Sequence, residues 1–452
     1  MGVQLKDLPE AAAVFLRRPV VIILIIGIVI RLVLMPLLTH GYDVMYWALT
    51  MQHVQAGAGL YDINGFWYTP VWGYMLSIMT YLSNLLGVAD YGSFFDGILD
   101  IEGLSVPYTA TVTTIAFNFV VKIPSLIADI LVGYLIYKII LGKTEDEKKA
   151  TYGFALWFLC PFVIYISAVH GMFDSIYVMF MVLSVYAMYK GHDFLAGASL
   201  SVAVLLKIFP AFIVFALIAY LAMKHKGDMR TFRNRMLTAL LGLGLMTLVI
   251  YIPQILDGTI MDSLKFITSR TDPSPAVEAV EGAWDTLVSF GMKFVIWLQP
   301  ILFVLTGALV YIICRRGRGD TDKIFFTCLM VSTAAVFLWP ATSQFLLMTL
   351  PFLICFIAMY DKRFIIPFIV ITVGALCLDL SNLSIFMSLA VYTDLLDPGS
   401  VVSLLKWMDQ PLVMGLTKQY VIMILAGAAE VIGTALVLLY WIRHEKEARP
   451  DA

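Results

Sequence analysis

Runs of about 20 mostly apolar residues, the length a helix needs to cross about 30 Å of hydrocarbon, recur from one end of the chain to the other. They fall at 20–38, 66–87, 112–141, 150–168, 173–190, 194–223, 236–253, 290–313, 324–340, 343–359, 364–380 and 420–442. A backbone in lipid must satisfy its own hydrogen bonds, and runs this long do so as helices rather than as barrel strands. Composition agrees: 61% of the 452 residues are hydrophobic and 14% charged, where a soluble domain carries about 25% charged residues. The sequence predicts an all-α, polytopic transmembrane bundle forming a single integral-membrane domain over 1–452. The net charge of −2 and the lack of a long basic stripe exclude a nucleic-acid binder. The cysteines (Cys160, Cys314, Cys328, Cys355, Cys377) lie in or beside apolar runs without a CxxC pair, so they read as small hydrophobes rather than a disulfide framework or zinc site. The first run has no small-residue cleavage site after it and reads as a span, not a signal peptide.

Lysine and arginine set the orientation. The basic loops are MGVQLKDLPEAAAVFLRR, GKTEDEKK, KHKGDMRTFRNR, RRGRGDTDK, DKR, the tail RHEKEARPDA and the short KGHD turn. They hold 21 of the 30 Lys+Arg but only 13 of the 32 Asp+Glu, which assigns them to the cytoplasm. The loops 39–65, 254–289 and 381–419, with 88–111, then lie on the other face. Both termini on one side require an even number of crossings, and 12–14 are expected. Two long runs carry a lysine just before a proline: Lys122 with Pro124, and Lys207 with Pro210. Proline interrupts the helical ladder and lysine avoids the bilayer core, so each run is read as two short helices meeting at the external surface. For 112–141 this reading would put the acidic stretch 88–111 inside, and that point stays open. The loops 39–65 and 381–419 carry amphipathic pieces, one with Val44, Trp47, Met51 and Val54 on one face. Such helices are expected in the membrane interface.

Three stretches could carry chemistry. In HGYDVMYWALTMQHVQAGAGLYDINGFWYTPVWGY, Asp43 follows the first span beside Tyr42 and an aromatic-rich segment containing Trp47, Trp67, Tyr68 and Trp72. Partial desolvation there would raise its pKa and make it a general base; the plain alternative is a helix N-cap. In CPFVIYISAVHGMFDSIYV, His170 and Asp174 flank a short glycine-containing turn, either to bind substrate hydroxyls or to cap the next helix. With Asp43 they would offer a metal one histidine and two carboxylates, a weak ligand set, and no metal is expected. Lys207, Lys122 and Arg270 are cations suited to a phosphate, although lysines at a boundary also snorkel and loop charges are often simply solvated. Ser343 and Gln344 begin a span in WPATSQFLL and could hydrogen-bond a sugar or end a helix. Arg31 and Asp129 within apolar runs should pair or reach headgroups.

The ordered set of an acid after the first span, the amphipathic GYDVMYWALTMQHVQAGAGLYD, the entry FWYTPVWGY, the turn in CPFVIYISAVHGMFDSIYV, and the segments AGASLSVAVLLKIFP and TSQFLLMTLPFLI resembles the GT-C superfamily of integral-membrane glycosyltransferases, in particular the polyprenyl-phosphate-mannose users. The resemblance spans roughly residues 20–360. It implies a GT-C-type bundle with a catalytic module over 20–253 and a variable helical module over 254–452. It implies inverting transfer of a sugar, mannose first, from a polyprenyl-phosphate donor to a hydroxyl of a lipid, glycan or protein acceptor. Asp43 would be the base, and Lys207, Lys122 or Arg270 would hold the leaving phosphate. Tyr42, Trp47, Tyr68, His170, Asp174, Ser343 and Gln344 would line the substrate site. Many relatives carry two acids in this loop; here Asp43 is followed by Val44 and Met45, which argues for a mechanism without metal or other cofactor. The expected location is a multi-pass protein of the plasma membrane in a prokaryote or the endoplasmic reticulum in a eukaryote, with the site on the extracytoplasmic face. The rival function is a secondary transporter or lipid flippase with helices broken at Pro124 and Pro210.

Overall fold

The computed structural model describes residues 18–62, 66, 68–93, 98–101, 104–107, 112–269, 301–317, 320–335, 343–413 and 415–447. Helices dominate: α1 (Pro19–Leu37), α2 (Gly41–Gln55), α3 (Pro70–Leu85), α4 (Ile115–Thr144), α5 (Glu147–Phe158), α6 (Pro161–Ile164), α7 (Asp174–Lys190), α8 (Asp193–Leu206), α9 (Val214–Lys224), α10 (Met229–Leu256), α11 (Ile260–Ser269), α12 (301–316), α13 (Thr321–Ala335), α14 (Leu350–Met359), α15 (Ile365–Leu380), α16 (Met387–Tyr392), α17 (Pro398–Met408) and α18 (Lys418–Glu447). Three two-stranded antiparallel ribbons decorate the loops, pairing Gly92–Ser93 with Val112–Thr113, Ile98–Ile101 with Leu104–Pro107, and Pro411–Val413 with Leu416–Thr417. This is the expected polytopic helical bundle. Among the described residues, five helical segments are long and apolar enough to cross a membrane: Pro19–Leu37, Ile115–Thr144, Met229–Leu256, Lys362–Leu380 and Lys418–Arg443. A sixth results if α5 and Pro161–His170, bent by 48° at their junction, count as one broken span.

The bundle has two chemically distinct ends. At the end with the basic loops, Lys143 is 3.0 Å from Asp320 and 2.8 Å from Asp322, Tyr189 donates to Asp322 at 3.0 Å, and Arg235 pairs with Asp193 at 2.7 Å. The ring of Phe364 meets Tyr440 of the last helix here, at 5.8 Å between centroids. At the other end the connections 38–43, 165–174, 207–209, 343–349 and 379–385 converge. Thr39 N–H donates to the Ile385 carbonyl and Tyr165 O–H to the Asp379 carbonyl, at 3.1 and 3.0 Å.

Between the ends, helices lock by polar pairing and close approach. Arg31 of α1 and Asp129 of α4, both fully buried, pair at 2.9 Å, and Arg31 also donates to the Phe158 carbonyl at 2.9 Å. Asp129 thus faces protein, which removes the cost of a lone charge in hydrocarbon. Helices α8 and α10 touch at Gly197 and Gly242. A Cβ on Gly197 would run into the Ala239 carbonyl, and one on Gly242 into the Phe194 carbonyl, so neither position accepts a side chain.

Two expectations need correction. The run 112–141 is not two helices meeting at a surface: α4 is continuous from Ile115 to Thr144 with Pro124 inside it. Its start, where Thr114 hydrogen-bonds the Asp90 and Tyr91 carbonyls, lies beside the converging connections and its last turn carries Lys143 at the basic end, so Asp90 and Tyr91 lie at the end opposite the basic loops. Helix α2 does not rest its apolar face in headgroups. Val44, Trp47, Ala48 and Met51 are buried in the main core. The other run does break: α8 ends at Leu206, and Lys207 follows with an extended backbone (φ −149°, ψ 141°) before a 3-10 turn over Phe209–Ile213.

Candidate functional site

His40 closes the connection from α1 and caps α2 from an extended backbone position. Asp43 lies three residues on, in the first turn, where an i, i+3 pair shares one side of a helix. The helix has no side-chain cap, so the N-cap alternative for Asp43 gives way: its carboxylate turns to two imidazoles. His170 Nε2 is 2.8 Å from Asp43 Oδ2 and His40 Nδ1 is 3.4 Å from the same oxygen. The two rings lie 4.4 Å apart between centroids. His170 ends the π-helical turn Tyr165–His170, and Gly171 follows in the left-handed region at φ 85°. A Cβ there would come within 2.8 Å of Val44 Cγ2 and 3.0 Å of Lys122 Cε. The glycine therefore makes both the turn and the approach of His170 to α2 possible.

The expected upward shift of the Asp43 pKa is also corrected. Burial pushes it up, but hydrogen bonds from His170 and then His40, with their charges, outweigh burial and hold the carboxyl well below the usual carboxylate range. A carboxylate stabilised in this way is a poor proton acceptor. The side chains of His40, Asp43 and His170 remain 16%, 25% and 10% exposed, so the cluster opens to the outside along the edge formed by Asp43.

The other candidates fall into distinct settings. Asp174 begins α7 without capping it; both its oxygens accept from Lys207 Nζ at 2.8 Å in a buried pair. The same ammonium lies 4.5 Å from the Phe345 ring centroid and 5.1 Å from that of Phe173. Lys122, fully buried, donates to the carbonyls of Met35 (3.0 Å), Val169 (3.2 Å) and Leu38 and to Thr39 Oγ1 (2.7 Å). It ties the end of α1 to the π-helical turn. Ser343 hydrogen-bonds Asp379, and Gln344 begins the same 3-10 turn with its Oε1 buried. Trp47, Tyr68, Trp72 and Phe173 form an aromatic wall next to the cluster, with Trp72 and Phe173 stacked at 4.4 Å. The side chain of Tyr42, and Trp67 and Arg270 entirely, lie outside the described residues.

The sequence reading missed His40, Asp379 and Asn382. Asn382 Nδ2 is 2.6 Å from His40 Nε2, and the Asn382 oxygen accepts from Ser384 Oγ at 2.7 Å. His40 carried a signal, its spacing of three before Asp43. Asp379 carried little beyond its place at the end of an apolar run, and Asn382 stood out only as the first residue of Asn382-Leu383-Ser384, a glycosylation-type tripeptide. The ligand set weighed from sequence, His170 with Asp174 and Asp43, is not the one the fold assembles: Asp174 is taken by Lys207, and His40 stands in its place.

Fold and site together define a many-span helical membrane protein with a partly open His–Asp–His cluster at one end of its bundle. Residues 93–271 match the family described as GPI transamidase subunit PIG-U. That is about two fifths of the chain, and it holds α4 to α11 with Lys122, His170, Asp174 and Lys207. No curated protein matches the chain.

This match overturns the sugar-transfer reading, and with it the transporter or flippase alternative. The family it names is a transamidase subunit, neither a polyprenyl-phosphate-sugar transferase nor a carrier. The polyprenyl-linked sugar donor goes with them. The geometry is in keeping: Asp43 is a weak base, Lys207 already neutralises Asp174, and Lys122 is spent on backbone oxygens.

Proposed function

We propose that the chain is a membrane-embedded subunit of a transamidase-type complex acting on a glycosylphosphatidylinositol-class lipid, and that the His40–Asp43–His170 end holds the polar head of that lipid. The observation that carries this is the family match over 93–271, which includes the turn that delivers His170 and the Asp174–Lys207 pair. Aromatic rings beside convergent carboxylate, imidazole and amide groups suit a hydroxyl-rich headgroup. Acyl transfer needs a nucleophile activated by an adjacent base. Among the described residues no serine, threonine or cysteine hydroxyl or thiol is hydrogen-bonded to a histidine. This favours a holding or assembling role, with the nucleophile on another polypeptide. The charge bias favours an extracytoplasmic position for the site end. The GT-C resemblance is kept as a proposal about helix layout alone, without its chemistry.

The test is purification of the full chain from its native membrane in mild detergent. A polypeptide with transamidase activity should comigrate in stoichiometric amount, and a glycosylphosphatidylinositol-class lipid should be extractable from the wild type and depleted in Asp43→Asn. A chain that migrates alone with ordinary phospholipids only would overturn the proposal.

A further inference from the structure

Two imidazoles and a carboxylate converge on one point from separate parts of the chain: the end of the α1–α2 connection, the first turn of α2 and the π-helical turn before α7. We propose that His40, Asp43 and His170 form a site for a divalent first-row transition metal, zinc first. This inference does not depend on the transamidase reading.

The spacing fits. Their potential ligand atoms lie within 4.8 Å of one another. Zinc bonds of about 2.0–2.2 Å set tetrahedral ligand atoms about 3.3 Å apart. The His40–Asp43 separation is 3.4 Å and the His170–Asp43 separation 2.8 Å, so an opening of about half an ångström on the His170 side brings that pair to zinc spacing, with the two imidazole nitrogens already within 4.8 Å of each other. Two nitrogens with one oxygen suit zinc and its first-row neighbours, whereas magnesium and calcium prefer all-oxygen shells.

Two further observations point to a ligand. His170 is 7% exposed, and its Nδ1 has no hydrogen-bond partner among the described residues, so its Nε2 bond to Asp43 leaves the other nitrogen unsatisfied. Asn382 stands behind His40, its Nδ2 2.6 Å from Nε2. A half-turn of the amide brings the oxygen to the same place, where it accepts from Nε2–H and leaves the Nδ1 lone pair aimed at the metal position; the amide nitrogen then donates to Ser384 Oγ, and the bond from Ser384 N–H is given up. This is the outer hydrogen bond that orients metal-bound histidines. The partly exposed Asp43 edge leaves a coordination position open, as in three-ligand zinc sites.

Full-length protein in detergent, stripped with chelator, is titrated with Co(II) and read by the visible d–d absorption of low-coordinate cobalt, then back-titrated with Zn(II). One equivalent should bind, and Zn(II) should displace it. His40→Gln and His170→Gln should lose the bands, and Asn382→Ala should bind about 10–100-fold more weakly. His225→Gln, beside Arg235 at the basic end, should titrate as the wild type does. A wild type that takes up no saturable equivalent overturns the site without recourse to any variant, as do bands unchanged in both histidine variants. Should one of these two fail to give monodisperse protein, the other carries the same decision.

Discussion

Asp43 is held in its ionised form by neighbours rather than by water. Its folded pKa lies below the unfolded value of about 3.9. A group shifted in this direction adds stability at every pH above its unfolded pKa, and that contribution fades as pH falls below it toward the folded value. Asp43→Asn should therefore lower the melting temperature in metal-free buffer at pH 7, by about 1–3 kcal/mol of stability for hydrogen bonds to a charged group. The gap between variant and wild type should shrink as pH falls from about 5 to about 3, the range in which the carboxylate itself takes up its proton. Scanning fluorimetry from pH 3 to 5 reads it, and a gap that widens over that range would show that the carboxylate is not the stabilised form. The i, i+3 spacing of His40 and Asp43 was legible in the chain. The arrival of His170, 127 positions further on, was not, because it depends on the packing of the π-helical turn against α2.

The two proline-containing runs show how far local pattern decides an element. Both read Lys-Ile before a proline, and only one breaks. At Lys207 the backbone leaves the helix and the ammonium reaches Asp174 across the bundle. At Lys122 the backbone stays helical and the ammonium gathers carbonyls left at the end of α1 and in the π-helical turn. Proline 124 costs one ladder bond, but the bonds Lys122 makes across to its neighbours need α4 intact at that point. The partner of each lysine is remote in sequence, so the difference was hidden from a reading of either run. The break at Lys207 was legible from the flanks of its run, since the basic KGHD and KHKG on either side put both ends of 194–223 on one face. Helices α8 and α10 show a second nonlocal constraint. Gly197→Leu should separate them, since its side chain meets the Ala239 and Leu243 backbone, which cannot move aside as a side chain would. The expected loss is about 1–3 kcal/mol, the usual cost of overpacking, read as a lower melting temperature and earlier aggregation. Gly244→Leu, in open space on α10, should melt like the wild type. Equal behaviour of the two variants would mean that α8 and α10 do not pack at Gly197.

At the scale of the molecule, the charge bias of the loops and the contacts of the fold agree on one partition. Lys143, Lys190, Arg235 and Arg363 lie at one end, and Asp43, His170, Asp379 and Asn382 at the other. The hydrophobic lengths of the sequence made the bundle legible and its basic loops made the partition legible. The composition of the polar end was legible only in part, because it is assembled from five connections that no local pattern joins. If basic loops face the cytoplasm, the polar end faces outward, and the two ends must differ in access to an impermeant reagent. On a background with the native cysteines replaced, Leu395→Cys, 74% exposed near the polar end, should react with a membrane-impermeant maleimide in intact cells. Lys226→Cys, exposed in the loop before α10, should react only after permeabilisation. The reverse pattern would put the His–Asp–His cluster in the cytoplasm and break the link between the basic loops and the inner face. Labelling of both in intact cells would mean that the bundle does not separate two compartments at all. The helix lengths argue against that, since a chain that buries so little of α10 and α18 within itself must cover their apolar faces with lipid or with other helices.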